Sequence, residues 1–233
     1  MAAAVVLLAA LYRFDVIRPG SFRRRPRRDL SNLPAAFWFL GGLMVFLSQV
    51  AGMIVAQGTL SFFERLSDRA TVFQIVAGYL AATATAIVVI RMTTGGHHTD
   101  GLTLRARDAG LGLAWLAPTL LVTAAVSIVA VQVVTLIDGP PDQIAHDGLR
   151  KMLEDRDSPW TKAMLAAAII GAPIVEEVIY RGFLQSAFVR LLGGRIWPAV
   201  LLSSVIFSAA HMSQVPVHGL VTLFILGVCL GFS

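Results

Sequence analysis

The chain has little charge and almost no cysteine. Only 14% of its 233 residues are charged, whereas 56% are hydrophobic, and the mean hydropathy is +0.74. A soluble domain carries about a quarter charged residues, so this composition excludes an ordinary soluble domain and predicts a polytopic membrane protein. The single cysteine, Cys229, excludes a disulfide framework or a cysteine-rich metal site within one chain. Two catalytic signatures, His-Glu-x-x-His and Gly-x-Ser-x-Gly, are also missing.

Long apolar runs take the place of charged segments. A spanning helix needs about 20 predominantly apolar residues. The runs that reach or approach this length are Ala35–Gln57, Val72–Arg91, Leu111–Ile137, Thr161–Leu192, Ile196–His211 and Val217–Phe232. Met1–Tyr12 is apolar but too short to span comfortably. We therefore predict an all-α fold, a polytopic membrane helix bundle with about six or seven apolar helices.

The basic residues lie between the apolar runs and predict an orientation. Net charge is +5, and an arginine cluster, Arg23–Arg28, precedes the first long run. Because basic loops face the cytoplasm, this cluster is expected inside and the loop Asp138–Trp160 outside. A cytoplasmic loop explains the arginines better than a nucleic-acid patch does, so we expect a multi-pass cell-membrane protein with the lipid bilayer, and no nucleic acid, as a partner.

Three charges fall inside the fourth apolar run. They belong to Glu176, Glu177 and Arg181, and His211 lies in the next run. A charge at mid-bilayer costs roughly 2.5–3.5 kcal/mol, so such residues usually face a protein-lined or watery interior. Glu177 and Arg181 share a helix face and could form a structural ion pair, and His211 could be a packing residue. Alternatively, a carboxylate and an imidazole could deprotonate a water molecule or ligate a metal ion.

Three short motifs occur in order on successive apolar runs. They are Glu-Glu-x-x-x-Arg (Glu176, Glu177, Arg181), Phe-x-x-x-His (Phe207, His211) and Phe-x-x-Gly-x-x-x-Gly (Phe224, Gly227, Gly231). Together they resemble the CAAX prenyl protease type 2 and bacteriocin-processing family of intramembrane endopeptidases, called CPBP or Abi, over about Trp160 to Ser233. The resemblance divides the chain into membrane spans with a basic loop, residues 1–150, and a partial protease core, residues 151–233.

The resemblance implies an activity and a set of catalytic residues. Glu176 and His211 would activate the water that attacks a peptide bond, and Glu177 and Arg181 would support the site. The substrate would be a membrane-associated protein or peptide, cleaved toward the cytoplasmic side. The family has been described both as metalloproteases and as metal-independent, so Glu176 and His211 are metal ligands only if the activity is metal-dependent. The cofactor is then a divalent metal such as zinc, or none.

One element of the family pattern is missing. A fourth motif, a histidine followed four residues later by asparagine, is expected after the third and does not occur before Ser233. We therefore expect the sequence to be a fragment with impaired activity. Two alternatives stay open: a non-catalytic scaffold or bacteriocin-immunity protein with the same fold, and a proton- or ion-coupled transporter. Transporters often contain internal repeats, and none is obvious here.

Two further expectations concern helix shape. Pro173, next to Gly171 and shortly before the glutamates, predicts a local distortion of the fourth helix. Gly227 and Gly231 form a Gly-x-x-x-Gly face that lets another helix approach closely.

Overall fold

The described part of the chain consists of helices and the short turns between them. The computed structural model describes residues 13, 33–60, 67–94, 106–140 and 157–231. Within them six helices form and no strand, which confirms the all-α prediction. The helices are α1 Ala35–Leu60, α2 Ser67–Thr94, α3 Ala106–Asp138, α4 Pro159–Leu191, α5 Ile196–Ala209 and α6 Val217–Leu230. Met1–Tyr12, the Arg23–Arg28 cluster and most of the loop between α3 and α4 lie outside the described residues.

The length and surface of the helices fit a bilayer. Four helices contain stretches long and apolar enough to span one, and in that stretch of α3 none of the residues (0%) is buried by protein. An apolar helix surface that protein does not cover is stable where lipid covers it. The remaining helices, α5 and α6, have 14 residues each. They are about 21 Å long, shorter than the roughly 30 Å hydrocarbon core. The predicted multi-pass helical membrane protein is thereby confirmed.

Two compact units divide the helices between them. We call the first the glutamate unit, which holds α1, α2 and α4 as far as Ala187. The second, the histidine unit, holds α3, α5, α6 and the end of α4 from Phe188. The proposed domain boundary near residue 150 stays a prediction.

The fourth helix departs from α geometry twice. It widens into π-helical turns at Ala167–Gly171 and at Glu177–Leu184, and after each wide turn a backbone N–H donates to the carbonyl five residues earlier. The first wide turn ends two residues before Pro173, which has no N–H to donate. This agrees with the predicted distortion near Gly171 and Pro173. The second wide turn was not predicted.

Small residues bring α1 and α2 into close contact in the glutamate unit. A Cβ atom added to Gly52 of α1 would lie 2.8 Å from the backbone oxygen of Ala77, and one added to Gly78 of α2 would lie 3.0 Å from that of Gln49. Such distances leave no room for a side chain. The two helices therefore pack backbone against backbone along this contact, as small residues allow between membrane helices.

In the histidine unit, α6 packs against both α3 and α5. The indole Nε1–H of Trp115 in α3 donates to the backbone oxygen of Cys229 at 2.9 Å. On the α5 side, a Cβ atom added to Gly227 would lie 3.0 Å from the Cβ atom of Ser204. The expected close helix approach is therefore confirmed at Gly227.

Candidate active site

The Glu-Glu-x-x-x-Arg motif straddles the start of the second wide turn of α4. Glu176 ends the α-helical stretch Ala172–Glu176, and Glu177 begins the wide turn Glu177–Leu184. Wide turns of this kind are rare and occur frequently at functional sites. The acidic pair is thus held on backbone whose geometry changes between one glutamate and the next.

Glu177 and Arg181 form the ion pair that their spacing predicted. Arg181 Nε lies 3.8 Å from Glu177 Oε2, which is an ion-pair distance but too long for a hydrogen bond between these atoms. The two side chains differ in burial, because that of Arg181 is 5% exposed and that of Glu177 is 44% exposed. Removing a guanidinium from water is costly unless a counter-charge is close. The glutamate therefore stabilises a buried arginine, rather than the reverse.

Glu176 lies beside two tyrosines that the sequence motifs did not single out. It is partly buried, and its charge is within electrostatic range of Tyr79 in α2 and of Tyr180 in α4. Tyr180 occupies an unspecified position of the motif, next to Arg181. Its phenol in an apolar run was the signal that could have drawn attention to it. Tyr79 is also a phenol in an apolar run, but it comes from a distant segment of the chain, so nothing in the sequence linked it to Glu176.

His211 lies just beyond the end of α5 rather than within it. The expected run continued to His211, but α5 ends at Ala209, and the N–H of His211 donates to Ser208 O in a tighter turn. Phe207 and His211 nevertheless lie on the same side of the chain, as their spacing predicted. The two rings meet edge to face with centroids 4.9 Å apart.

The backbone selects the tautomer of His211. Its Nδ1 lies 2.8 Å from the backbone oxygen of Phe207, which can only accept a hydrogen bond. Nδ1 therefore carries the proton of the neutral ring, and the lone pair belongs to Nε2. Phe207 fixes the ring twice, through its carbonyl and through its own ring, and leaves Nε2 as the nitrogen with base or ligand character.

A serine ties the end of α5 to α6. Ser208 Oγ donates to the backbone oxygen of Leu220 at 2.7 Å. The bond joins the turn before His211 to a neighbouring helix of the same unit. It restricts how far this end of α5 can move, and with it the imidazole.

The structure brings the predicted residues together in two groups. Glu176, Glu177 and Arg181 share the glutamate unit, whereas Phe207 and His211 share the histidine unit. The expected approach of Glu176 to His211 stays a prediction.

The donors among the described residues do not by themselves make up a catalytic zinc site. Such a site normally uses three protein ligands, and the described residues contain no group of three or more histidine, cysteine, aspartate or glutamate side chains placed to hold a metal. Glu176 and His211 alone would supply two. Metal dependence stays a prediction, and we derive no chemical step through a metal.

Comparison with known proteins agrees with the motifs. Residues 158–233 match the family model described as Rce1-like, Type II CAAX prenyl endopeptidase Rce1-like. Searches of curated proteins and of solved structures gave no significant match. The matched segment contains all three motifs, and it supports peptidase activity at the level of the family. The bacteriocin-related part of the expectation stays a prediction. Over residues 158–233, about a third of its length, this membrane protein is similar to the type II CAAX prenyl endopeptidase family.

Proposed function

We propose that the protein is an intramembrane endopeptidase that hydrolyses a peptide bond of a prenylated, membrane-associated protein or peptide. The observation that carries the proposal is the family match, which spans the three motifs. The local geometry of Glu177–Arg181 and of Phe207–His211 supports it. No contact among the described residues and no comparison favours the non-catalytic scaffold.

In the proposed reaction, Glu176 is the general base. Its carboxylate takes a proton from a water molecule while the water oxygen attacks the scissile carbonyl carbon. The carbon–nitrogen bond then breaks, and the proton passes to the leaving nitrogen. The products are a new carboxylate and an amine, and no oxidant or reductant is needed.

His211 orients the same water in this proposal. Its Nε2 lone pair accepts a hydrogen bond from the water, because Nδ1–H is directed to the Phe207 carbonyl. Arg181 supports the site through its pairing with Glu177. Glu177 therefore acts on the stability of the segment, and Glu176 acts on the chemistry.

The test uses the purified protein in liposomes and a quenched fluorescent peptide that ends in a farnesylated cysteine and three further residues. Cleavage after the cysteine releases the last three residues, which mass spectrometry identifies. Glu176→Gln should lower kcat by about 10² or more, which is the lower range for loss of a general base. Its unfolding temperature should change little, because the substitution preserves volume and leaves Glu177, the larger of the two glutamate influences on Arg181, in place.

Matched controls separate the assigned residues from other polar groups. His211→Gln should lose activity, whereas His218→Gln should keep it, since His218 lies near the start of α6 outside the motifs. Wild-type turnover by Glu176→Gln would show that another group is the base. Equal cleavage of a peptide without the farnesyl group would overturn the prenylated substrate. Because impaired activity is expected, cleavage is measured with the protein in excess over the peptide and over long incubations. No cleavage of either peptide by the unmodified protein under those conditions would overturn the proposed activity.

A further inference from the structure

The second wide turn of α4 is held by an aromatic side chain that enters a gap in α1. Phe183, the next-to-last residue of the wide turn Glu177–Leu184, is only 1% exposed. A Cβ atom added to Gly41 would lie 2.6 Å from Phe183 Cε1, and one added to Gly42 would lie 3.1 Å from Phe183 Cβ. The ring therefore occupies the space that two missing side chains leave on α1.

A buried tryptophan closes this gap on one side. Trp38 is 2% exposed, and its ring centroid lies 6.2 Å from that of Phe183, within the range of favourable aromatic pairs. Val89 of α2 borders it on another side, with its Cγ1 3.3 Å from a Cβ atom added to Gly41. Phe183 is thus fixed by two helices that both belong to the glutamate unit.

The first wide turn shows the same arrangement with the roles reversed. Here the glycine is on α4 and the aromatic ring is on α2: a Cβ atom added to Gly171 would lie 2.6 Å from Tyr79 Cδ2. Tyr79 is also within electrostatic range of Glu176. Each departure of α4 from α geometry therefore coincides with an aromatic ring pressed against glycine.

The two contacts enclose the acidic pair. Gly171 lies before Glu176 and Phe183 lies after Glu177, so the backbone that carries both carboxylates is fixed at either end. A side chain can be directed reliably only if its own backbone is held, and a displacement of about 1 Å can cost roughly 10²-fold in rate. A methyl group added to the glycine at either contact would displace this backbone, because a close-packed interior has no free space and transmits the strain.

We propose that the Phe183–Gly41 and Tyr79–Gly171 contacts are a positioning clamp that sets the direction of Glu176 for the proposed hydrolysis. The clamp draws on α1 and α2, which lie outside the segment that matches the family model. The proposal rests on the proposed function for its catalytic consequence. Its structural content, fixation of the second wide turn by α1, does not depend on that function.

The test compares two glycine-to-alanine substitutions in α1, each of which adds a methyl group where there is no room for it. Gly41→Ala forces a methyl group into the Phe183 ring, whereas Gly52→Ala forces one into the backbone oxygen of Ala77, away from the wide turns. Both variants should lower the unfolding temperature in detergent. Only Gly41→Ala should raise hydrogen–deuterium exchange across residues 177–184, and it should lower kcat on the farnesylated peptide by at least about tenfold with little change in KM.

Rescue by a second substitution identifies the contact. Phe183→Val removes both Cε1 and Cδ1, the ring atoms that lie 2.6 and 2.8 Å from the added methyl group, so Gly41→Ala combined with Phe183→Val should recover part of the kcat that Gly41→Ala loses. At the other contact, Gly171→Ala should reproduce the kcat loss without changing exchange in α1.

The outcomes distinguish the clamp from the proposed function. Equal losses of kcat in Gly41→Ala and Gly52→Ala, each in proportion to folded protein, would overturn the clamp while leaving the peptidase proposal intact. Unchanged exchange across 177–184 in Gly41→Ala would also overturn it. If the unmodified protein cleaves no peptide, the function fails, and the exchange comparison still decides whether α1 fixes the wide turn.

Discussion

The tautomer of His211 provides a test that needs no substrate. The hydrogen bond from Nδ1–H to the Phe207 carbonyl predicts that the neutral ring carries its proton on Nδ1. Phe207→Leu removes the edge-to-face ring contact but keeps the carbonyl, because that group belongs to the backbone. The variant should therefore retain the tautomer while the ring loses its preferred orientation.

The size of the effect follows from these two contacts. A net hydrogen bond of about 0.5–1.5 kcal/mol shifts the ratio of tautomers roughly 2- to 13-fold toward the Nδ1–H form. The aromatic contact is worth about 0.5–1.5 kcal/mol beyond its buried area. Its loss should lower the population of the correctly oriented ring, and hence kcat on the farnesylated peptide, by a similar factor of about 2 to 13.

Nitrogen-15 NMR of histidine-labelled protein in detergent measures the tautomer directly. The chain has five histidines, so His211→Gln assigns the signal by removing it. A neutral His211 protonated on Nε2 in the unmodified protein would refute the geometry from which the proposed water-orienting role is derived. A change of tautomer in Phe207→Leu would show that the ring, rather than the carbonyl, selects it.

Three further predictions concern the packing of the histidine unit. Gly227→Ala should lower the free energy of unfolding by about 1–3 kcal/mol, the usual cost of overpacking, because the added methyl group meets Ser204. Gly58→Ala is the control and should not destabilise the protein, because no atom lies within 4 Å of the added methyl group. Equal destabilisation by the two substitutions would contradict the contact between Gly227 and Ser204. Trp115→Phe should lower the free energy of unfolding by about 1 kcal/mol, because it removes a hydrogen bond to α6. Denaturation in mixed micelles measures this change. Ser208→Ala should lower the free energy of unfolding by about 0.5–1.5 kcal/mol, because it removes the hydroxyl that donates to an α6 carbonyl. An unchanged denaturation midpoint would refute this prediction.

The helices could be predicted from the sequence because a helix that spans a bilayer needs about 20 predominantly apolar residues. Runs of apolar residues predicted all six described helices, and the ends differ from expectation by a few residues, as at His211. The pairs Glu177–Arg181 and Phe207–His211 were predicted because four residues bring side chains onto one helix face, and this spacing survives both a wide turn and a helix end.

Contacts between distant segments could not be read in this way. Nothing in the spacing of residues distinguishes an α turn from a π turn, so the second wide turn was missed. The fit of Phe183 between Gly41 and Gly42 was missed for a related reason. It depends on which helices become neighbours, and a single glycine in an apolar run is compatible with many packing arrangements.

The wide turns of α4 also bear on how the helix can change in length during evolution. In an ordinary helix, losing one residue rotates everything that follows by about 100° and carries every later side chain to a different face. A wide turn holds one residue more than the α turn that it replaces. Deletion of one residue within Glu177–Leu184 can therefore be absorbed by a return to α geometry, with the segments on either side keeping their neighbours. When related chains are aligned, a one-residue gap belongs in this stretch, after the acidic pair, rather than anywhere in α1.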